Sequence, residues 1–304
     1  MTKTLIVGGN GFIGSHLADR LTSIGREVTV FDRFSRGVQN YESESVRRCQ
    51  GDFLSVDDLQ RAVVDQDDVF HFLSVTTPAS AQKDPLIDVR VNIAQSVELF
   101  DACSKAGVKR LYFASSGGAV YGESSNSRAR ESDPTSPKSP YAIAKLTLEH
   151  YLEYYHVVHG LDYTVLRISN PYGPRQNPIR PQGLIPIVLR RIAQDLPVIQ
   201  YGDGTMVRDY IYVSDVIDMI AAMLDNSGSE RCYNIGSGIG YSVTEIFEVI
   251  RDVTGKNFEV EQRPRPTTYV SSVVLDTYRF QREFGIPAAT NLPQGIQKTW
   301  ESLT

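Results

Sequence analysis

The sequence predicts an α/β protein: a doubly wound parallel sheet followed by a smaller C-terminal mixed α/β part. Three observations predict it. The chain opens on an apolar run that meets glycines at 8, 11 and 14, apolar runs and helical patterns then alternate up to about residue 170, and proline- and glycine-rich breaks follow. Alternating strand and helix patterns are the grammar of a parallel sheet, because a parallel crossover needs a helix between its strands. The 304 residues exceed the roughly 250–300 at which a single core stops growing, so two domains are expected. Their expected limits are 1–170 and 171–304, with a helix and strand near 208–236 able to rejoin the first.

The first element reads Leu5-Ile6-Val7-Gly8-Gly9-Asn10-Gly11-Phe12-Ile13-Gly14, a strand, a glycine turn and the start of a helix. Phe12, Ile13, Leu17, Leu21 and Ile24 continue it at helical spacing up to Gly25. Glycine lets the backbone turn tightly and approach a pyrophosphate, while a helix N-terminus offers it unpaired N–H groups. Gly8, Gly11, Phe12, Ile13 and Gly14 are therefore candidate dinucleotide-binding residues. The second strand, Glu27 to Phe31, ends at Asp32, near the ~20-residue distance at which a carboxylate hydrogen-bonds the ribose 2′-hydroxyl of NAD. That charge repels the 2′-phosphate of NADP, whereas Arg33 and Arg36 can pair with one. The order of strand, turn, helix, strand and acid defines a Rossmann-type dinucleotide site, in which Asp32 favours NAD and Arg33 and Arg36 leave NADP open.

The alternation continues with a strand at Val46–Cys49, a short helix at Asp57–Val64 and a strand at Val69–Leu73. A long helix from about Leu86 to Ala106, a strand at Arg110–Ser115, an exposed Ser/Pro-rich loop at 124–140, a helix from Tyr141 to about His159 and a strand at Tyr163–Ile168 complete six parallel candidates. Asn170-Pro171-Tyr172-Gly173-Pro174 and the segment 177–181 break regular structure and open the part expected to bind substrate.

Composition narrows the function classes. Hydrophobic residues at 41% and charged residues at 22% suit a globular enzyme rather than a disordered chain. A net charge of −5, with dispersed basic residues, argues against nucleic acid as a partner. Cys49, Cys103 and Cys232 are odd in number and lack a CxxC pair, which favours a reducing cytoplasm over a disulfide framework or zinc site. No run of 18 apolar residues exists and no signal-peptide pattern precedes the first strand, so neither membrane insertion nor secretion is expected. His156 and His159 lie near Glu149 and Glu153 without HExxH spacing, and read as a solvated helix face; no metal is expected.

Two segments carry chemistry. Phe113-Ala114-Ser115-Ser116-Gly117-Gly118-Ala119-Val120-Tyr121-Gly122 follows a predicted central strand, at the end of the sheet where ligands of open α/β folds bind. Tyr141-Ala142-Ile143-Ala144-Lys145 places a phenol and an ammonium on one helix face. Ionising a phenol of ordinary pKa ~10 near pH 7 costs about 4 kcal/mol, which a neighbouring ammonium and an oxidised nicotinamide can offset. Tyr141 is thus a candidate general base and Lys145 its electrostatic partner.

The glycine turn, Asp32, Gly51-Asp52, the Ser-Ser and Val-Tyr-Gly segment, YxxxK and Arg208-Asp209-Tyr210-Ile211-Tyr212-Val213 together resemble the extended short-chain dehydrogenase/reductase superfamily. Within it the chain is similar to the UDP-glucose 4-epimerase-like nucleotide-sugar epimerases over nearly its whole length. The resemblance implies C4 epimerisation of a UDP-hexose through a transient 4-keto sugar, with a retained NAD and with Tyr141 and Lys145 catalytic. It implies Asp52 and Phe53 beside the adenine, Phe72, Leu73 and Ser74 along the pyrophosphate, and Asn92 and Ser115 on the same cleft. For the UDP-sugar it points to Asn170, Gly183, Leu184, Arg208 and Arg265, with Arg263 competing for the register of Arg265. It also implies a homodimer paired through the helices at about 86–106 and 141–159.

Departures from the pattern matter as much. The usual Ser or Thr that bridges sugar and tyrosine falls on Gly117, which leaves Ser116, Ser115 or a water to carry the proton, with Ser116 preferred. Gly118-Ala119 replace the Asp-Glu pair of sugar 4,6-dehydratases, which disfavours dehydration. A 4-ketosugar reductase needs the same Tyr and Lys and stays as the alternative enzyme; a non-catalytic NAD(P) sensor is the alternative of another class. Gly183, where many epimerases carry Asn, together with Val273, implies tolerance of a larger C2 or C5 substituent.

Overall fold

The computed structural model describes residues 1–35, 37–123, 127–177, 182–224, 228–266, 268–285 and 289–303; Arg36 and the segment 178–181 lie outside them. The strands are β1 Lys3–Val7, β2 Glu27–Asp32, β3 Arg47–Gln50, β4 Asp68–His71, β5 Arg110–Ser116, β6 Tyr163–Ile168, β7 Asn170–Tyr172, β8 Val198–Tyr201, β9 Val207–Tyr212, β10 Cys232–Ile235, β11 Gly240–Ser242, β12 Val260–Arg263 and β13 Ser272–Val273. The helices are α1 Phe12–Ser23, α2 Val56–Val63, α3 Pro78–Lys83, α4 Pro85–Ile87, α5 Ala94–Ala106, α6 Gly117–Val120, α7 Pro140–His159, α8 Leu184–Ala193, α9 Val213–Ala222, α10 Val243–Thr254, α11 Tyr278–Phe284 and α12 Leu292–Glu301.

Seven strands form the main sheet in the order β10-β6-β5-β4-β1-β2-β3. This is the doubly wound parallel architecture read from the sequence, with β10 as a seventh strand on the edge beside β6. Leu5, Ile6 and Val7 of β1 are fully buried, as expected of a parallel strand covered on both faces. β1 pairs with β2 on one side, Lys3 opposite Glu27, and with β4 on the other, Thr4 opposite Asp68. The winding direction reverses between β1 and β4, and the crevice beyond their C-terminal ends is where such sheets bind ligands.

Contacts group the chain into two compact units. One holds Met1–Ser115, Pro140–Leu166 and Ser227–Cys232; the other holds Ser116–Ser139, Arg167–Asn226 and Tyr233–Thr304. The first unit has a core of Leu5, Val7, Phe31, Val69, Leu99, Phe100, Leu111, Phe113, Leu148 and their neighbours. In the second, β9 pairs antiparallel with β11 and parallel with β13 and β7. Its core gathers Ile185, Leu189, Tyr210, Ile246, Phe247 and Ile296.

The helix expected from Leu86 to Ala106 is divided. A π-helical turn at Asp88–Ile93 separates α4 from α5. The wider i→i+5 turn buries the polar Asp88 and Asn92 and leaves Val89 exposed, so no apolar periodicity marks it in the sequence. The strand expected at Val69–Leu73 ends at His71, leaving Phe72 and Leu73 just beyond β4.

A Cβ at Gly14 would stand 2.5 Å from the Gly8 carbonyl oxygen and 2.7 Å from Gly9 Cα. Backbone cannot give way there as a flexible side chain can. Gly14→Ala is expected to destabilise the fold by roughly 2 kcal/mol, read as a lowered denaturation midpoint; an unchanged midpoint would contradict this packing.

Candidate active site

In the first unit the glycine turn is built for close approach. Gly8 has φ +82, and a Cβ on it would lie 2.8 Å from the Leu73 amide nitrogen, so the turn presses directly on the chain leaving β4. Gly11 is the N-cap of α1 and provides no side-chain cap, and the first turn carries no acidic residue. The N-terminal amides of α1 therefore have neither a side-chain cap nor an acidic residue in the first turn, as a pyrophosphate site requires. Asp32 is bound to the turn: its Oδ2 accepts from the Asn10 amide at 3.2 Å and its Oδ1 from the Arg33 amide at 2.8 Å. The cradle that added Cβ atoms would fill, with the acid at the end of β2, fits a dinucleotide.

The residues expected to flank the cofactor are more committed than the sequence indicates. Asp52 Oδ1 accepts from the Leu54 amide at 3.0 Å and so caps its own turn. The Phe53 ring is buried against His71, with ring centres 5.4 Å apart. Ser74 Oγ donates to the Thr76 carbonyl. Asn92 accepts from the Val75 amide at 3.0 Å and donates to Thr76 Oγ1 at 2.8 Å and Asp88 Oδ1 at 2.5 Å. Its amide braces the loop after β4.

On α7, Tyr141 and Lys145 share a face as their spacing predicts. Lys145 is buried, donates to the Ala114 carbonyl at 2.7 Å, and stands 5.8 Å from the centre of the Tyr141 ring. Burial lowers the Lys145 pKa to about 8, while Asp88 and Glu149 oppose that fall. Glu149, one helical turn further along, accepts a short hydrogen bond from Ser115 Oγ. Beneath them His71 is buried, paired through Nε2 with Ser96 Oγ at 2.8 Å, and its pKa is driven down to about 3 by burial and by the Lys145 charge. Sequence reasoning missed Asp88, Glu149 and His71. Glu149 had a signal, since Tyr141, Lys145 and Glu149 recur at four-residue steps; Asp88 and His71 had none.

In the second unit Ser116 is the N-cap of α6 but makes no capping bond, and among the described residues its hydroxyl has no hydrogen-bond partner. Gly117 is closely packed: a Cβ would meet Leu275 Cδ1 at 2.6 Å and the Arg167 carbonyl at 2.8 Å. The missing hydroxyl at 117 is thus matched by a backbone position that excludes one. Asn170 Nδ2 donates to the Asp209 carbonyl at 2.9 Å. Arg208 donates from Nη1 to the Val207 carbonyl and from Nη2 to the Val270 carbonyl, each at 2.7 Å, and burial lowers its pKa.

The next residue, Asp209, is buried and accepts from the amides of Ser237, Gly238 and Leu275 and from Ser237 Oγ. Burial nevertheless raises its pKa. Arg263 is paired with Glu261 at 2.8 Å, whereas Arg265 is exposed beside Gly202. Gly183 adopts φ +91 at the start of α8, and a Cβ there would meet Gln176 Nε2 at 2.7 Å; Leu184 begins the helix. Val273 is buried in β13, opposite Arg208. No group of three or more potential metal ligands occurs among the described residues, and none of their helices is long and apolar enough to cross a membrane.

A doubly wound sheet with this glycine cradle, an acid at the end of β2 and a Tyr/Lys helix marks the class of dinucleotide-binding α/β proteins. The chain belongs to the NAD dependent epimerase/dehydratase family, which it matches over residues 4–236. A UDP-glucose 4-epimerase of Mycolicibacterium smegmatis is 31% identical, over 98% of this chain and 97% of its own length. The crystal structure of UDP-glucose 4-epimerase with UDP-glucose from Thermotoga maritima superposes with a TM-score of 0.93 at 33% identity, covering 99% and 98% of the two chains. That of Thermus thermophilus UDP-glucose 4-epimerase in complex with NAD gives 0.92 at 34% identity, with the same coverage.

The buried histidine sets a pH dependence. Its pKa in the fold, about 3, lies below the ~6.5 of an unfolded histidine. The unfolded state therefore binds the extra proton first, and stability falls as pH drops from about 6.5 towards 3, at roughly 1.4 kcal/mol per pH unit. Denaturant titrations should show a shallower fall in this window for His71→Phe than for the parent; equal slopes would contradict a neutral buried His71.

Proposed function

We propose that the protein is an NAD-dependent 4-epimerase of a UDP-hexose: UDP-glucose and UDP-galactose, or an N-acetyl or uronic-acid analogue. The observation that carries this reading is the buried Lys145 ammonium, fixed to the Ala114 carbonyl beside the Tyr141 ring. An ammonium held there stabilises a phenolate more than a phenol, so Tyr141 can take the proton of the sugar 4-hydroxyl and return it to O4 later. Bound NAD supplies a reversible hydride acceptor for C4. Gly8, Gly11, Phe12, Ile13 and Gly14 would hold its pyrophosphate and Asp32 its ribose, while Asp52, Phe53, Phe72, Leu73, Ser74, Asn92 and Ser115 line the remainder.

Ser116 is assigned the relay between the 4-hydroxyl and Tyr141, because its hydroxyl is uncommitted whereas that of Ser115 is engaged by Glu149. Arg208 and Arg265 would bind the diphosphate as charge-assisted donors, with Asn170 and the chain at Gly183 and Leu184 beside the nucleotide sugar. The apolar residues Leu86, Val89, Ile143, Tyr154, Val157 and Val158 are exposed, which supports a second copy of this chain covering that face as a homodimer. A cytoplasmic location accords with cysteines that are not joined in disulfides.

Purified protein without added NAD is expected to interconvert at least one C4 pair of UDP-glucose/galactose, their N-acetyl forms or their uronic acids, followed by chromatography. No conversion of any pair would favour the reductase or sensor reading. Tyr141→Phe should lower kcat by at least about 10²-fold while the protein still binds NAD; substantial residual turnover would remove the general base from Tyr141. Ser116→Ala should lower kcat about 10-fold or more with little change in KM, and a parental rate would pass the relay to water.

A further inference from the structure

Burial and charge are in conflict around Lys145. The side chain is 7% exposed, and the hydrogen bond it makes among the described residues, to the neutral backbone of Ala114, does not replace the hydration of an ammonium. A cation is retained in such a place only where anions face it. α7 contributes Tyr141 and Glu149, β4 contributes the neutral His71, β5 presents the face of Phe113 with its ring centre 4.7 Å away, and the π-turn contributes Asp88.

Asp88 has features that neither packing nor its own hydrogen bonds explain. It is 1% exposed, on a π-turn that packs against α7. Its Oδ1 accepts twice, from Thr76 Oγ1 at 2.6 Å and from Asn92 Nδ2 at 2.5 Å. Its Oδ2 is buried and has no hydrogen-bond partner among the described residues. A buried carboxylate oxygen without a donor is expensive unless a cation lies in its field; the π-turn packs against α7, the helix that carries Lys145, and the Asp88 carboxylate opposes the fall of the Lys145 pKa. The wider turn also places Asp88 and Asn92 so that one amide bridges to the other's carboxylate, which fixes its orientation.

We propose that Asp88 is a positioning residue for the reaction, the buried counter-charge that keeps Lys145 an ammonium beneath Tyr141, with Glu149 as a second carboxylate on α7. The roles of Tyr141 and Lys145 rest on the epimerase reading above; the charge pairing of Asp88 with Lys145 does not. Glu149 is additionally bonded to Ser115, so it joins α7 to β5, whereas the spare oxygen of Asp88 has no other task. The consequence is directional. A base assisted by an ammonium fails as pH rises through the pKa of that ammonium, so removing the Asp88 charge brings the alkaline loss of activity to lower pH.

The test compares the parent with Asp88→Asn, which keeps the Oδ1 acceptor, and with Glu149→Gln. Lys145 is followed by 13C NMR of protein labelled at lysine Cε, its signal assigned by its absence in Lys145→Met. The expected result is a fall of about one pH unit in the Lys145 titration midpoint of Asp88→Asn, and a smaller fall in Glu149→Gln. The alkaline limb of kcat should move the same way, with the KM for UDP-sugar unchanged. An unmoved Lys145 midpoint in Asp88→Asn overturns the proposal. So does a uniform loss of activity at every pH with the limb in place, which marks a purely structural residue. If the parent epimerises no UDP-sugar, the functional reading fails while the NMR midpoint still decides the pairing.

Discussion

A buried lysine is the constraint around which the first unit is organised. Lysine is almost never fully buried unless paired, and Lys145 is buried among three elements that each give it something. β5 offers the Ala114 carbonyl and the Phe113 ring face, α7 offers Glu149, and the π-turn between α4 and α5 offers Asp88. The end of the central strand, the Tyr141 helix and the π-turn therefore cannot move independently without exposing or stranding a charge. His71 below them is held neutral by the same burial and by the same ammonium, which adds no second positive charge to the site.

The second constraint is steric. At Gly8 and Gly14 backbone meets backbone so closely that no side chain fits, and the same economy recurs at Gly117 against Leu275 and the Arg167 carbonyl. The first closes the cofactor cradle of the family. The last has a chemical effect, because a hydroxyl cannot be carried at 117 and the nearest uncommitted one is at 116. In the second unit, Asp209 plays a part comparable to that of Lys145 in the first: one buried charge gathers three amides and a hydroxyl. Its neighbours in sequence and space are Arg208 and Asn170, so that network sets the backbone from which both project.

Much of this was legible in the sequence because it depends on local spacing. Glycines at 8, 11 and 14, the acid at 32 and the four-residue step from Tyr141 to Lys145 are short-range patterns, and the fold realises each of them as written. The π-turn was illegible, since the residues it buries, Asp88 and Asn92, are polar and its Val89 is exposed, which leaves no hydrophobic period to read. So was the engagement of Asp52 in its own turn and of Asn92 with Asp88 and Thr76, because a polar residue's partners are chosen by the loops that fold over it.

By itself, then, the sequence determined the doubly wound sheet, the dinucleotide cradle and the pairing of a phenol with an ammonium, all of which follow from periodicity and glycine placement within a single element or turn. Only the tertiary structure decided which charges face Lys145, why Gly117 can carry no hydroxyl, and which of Arg263 and Arg265 is already paired. The reason is physical. Spacing along the chain fixes what one helix or strand presents, whereas burial, counter-charge and close backbone contact arise where segments distant in sequence meet.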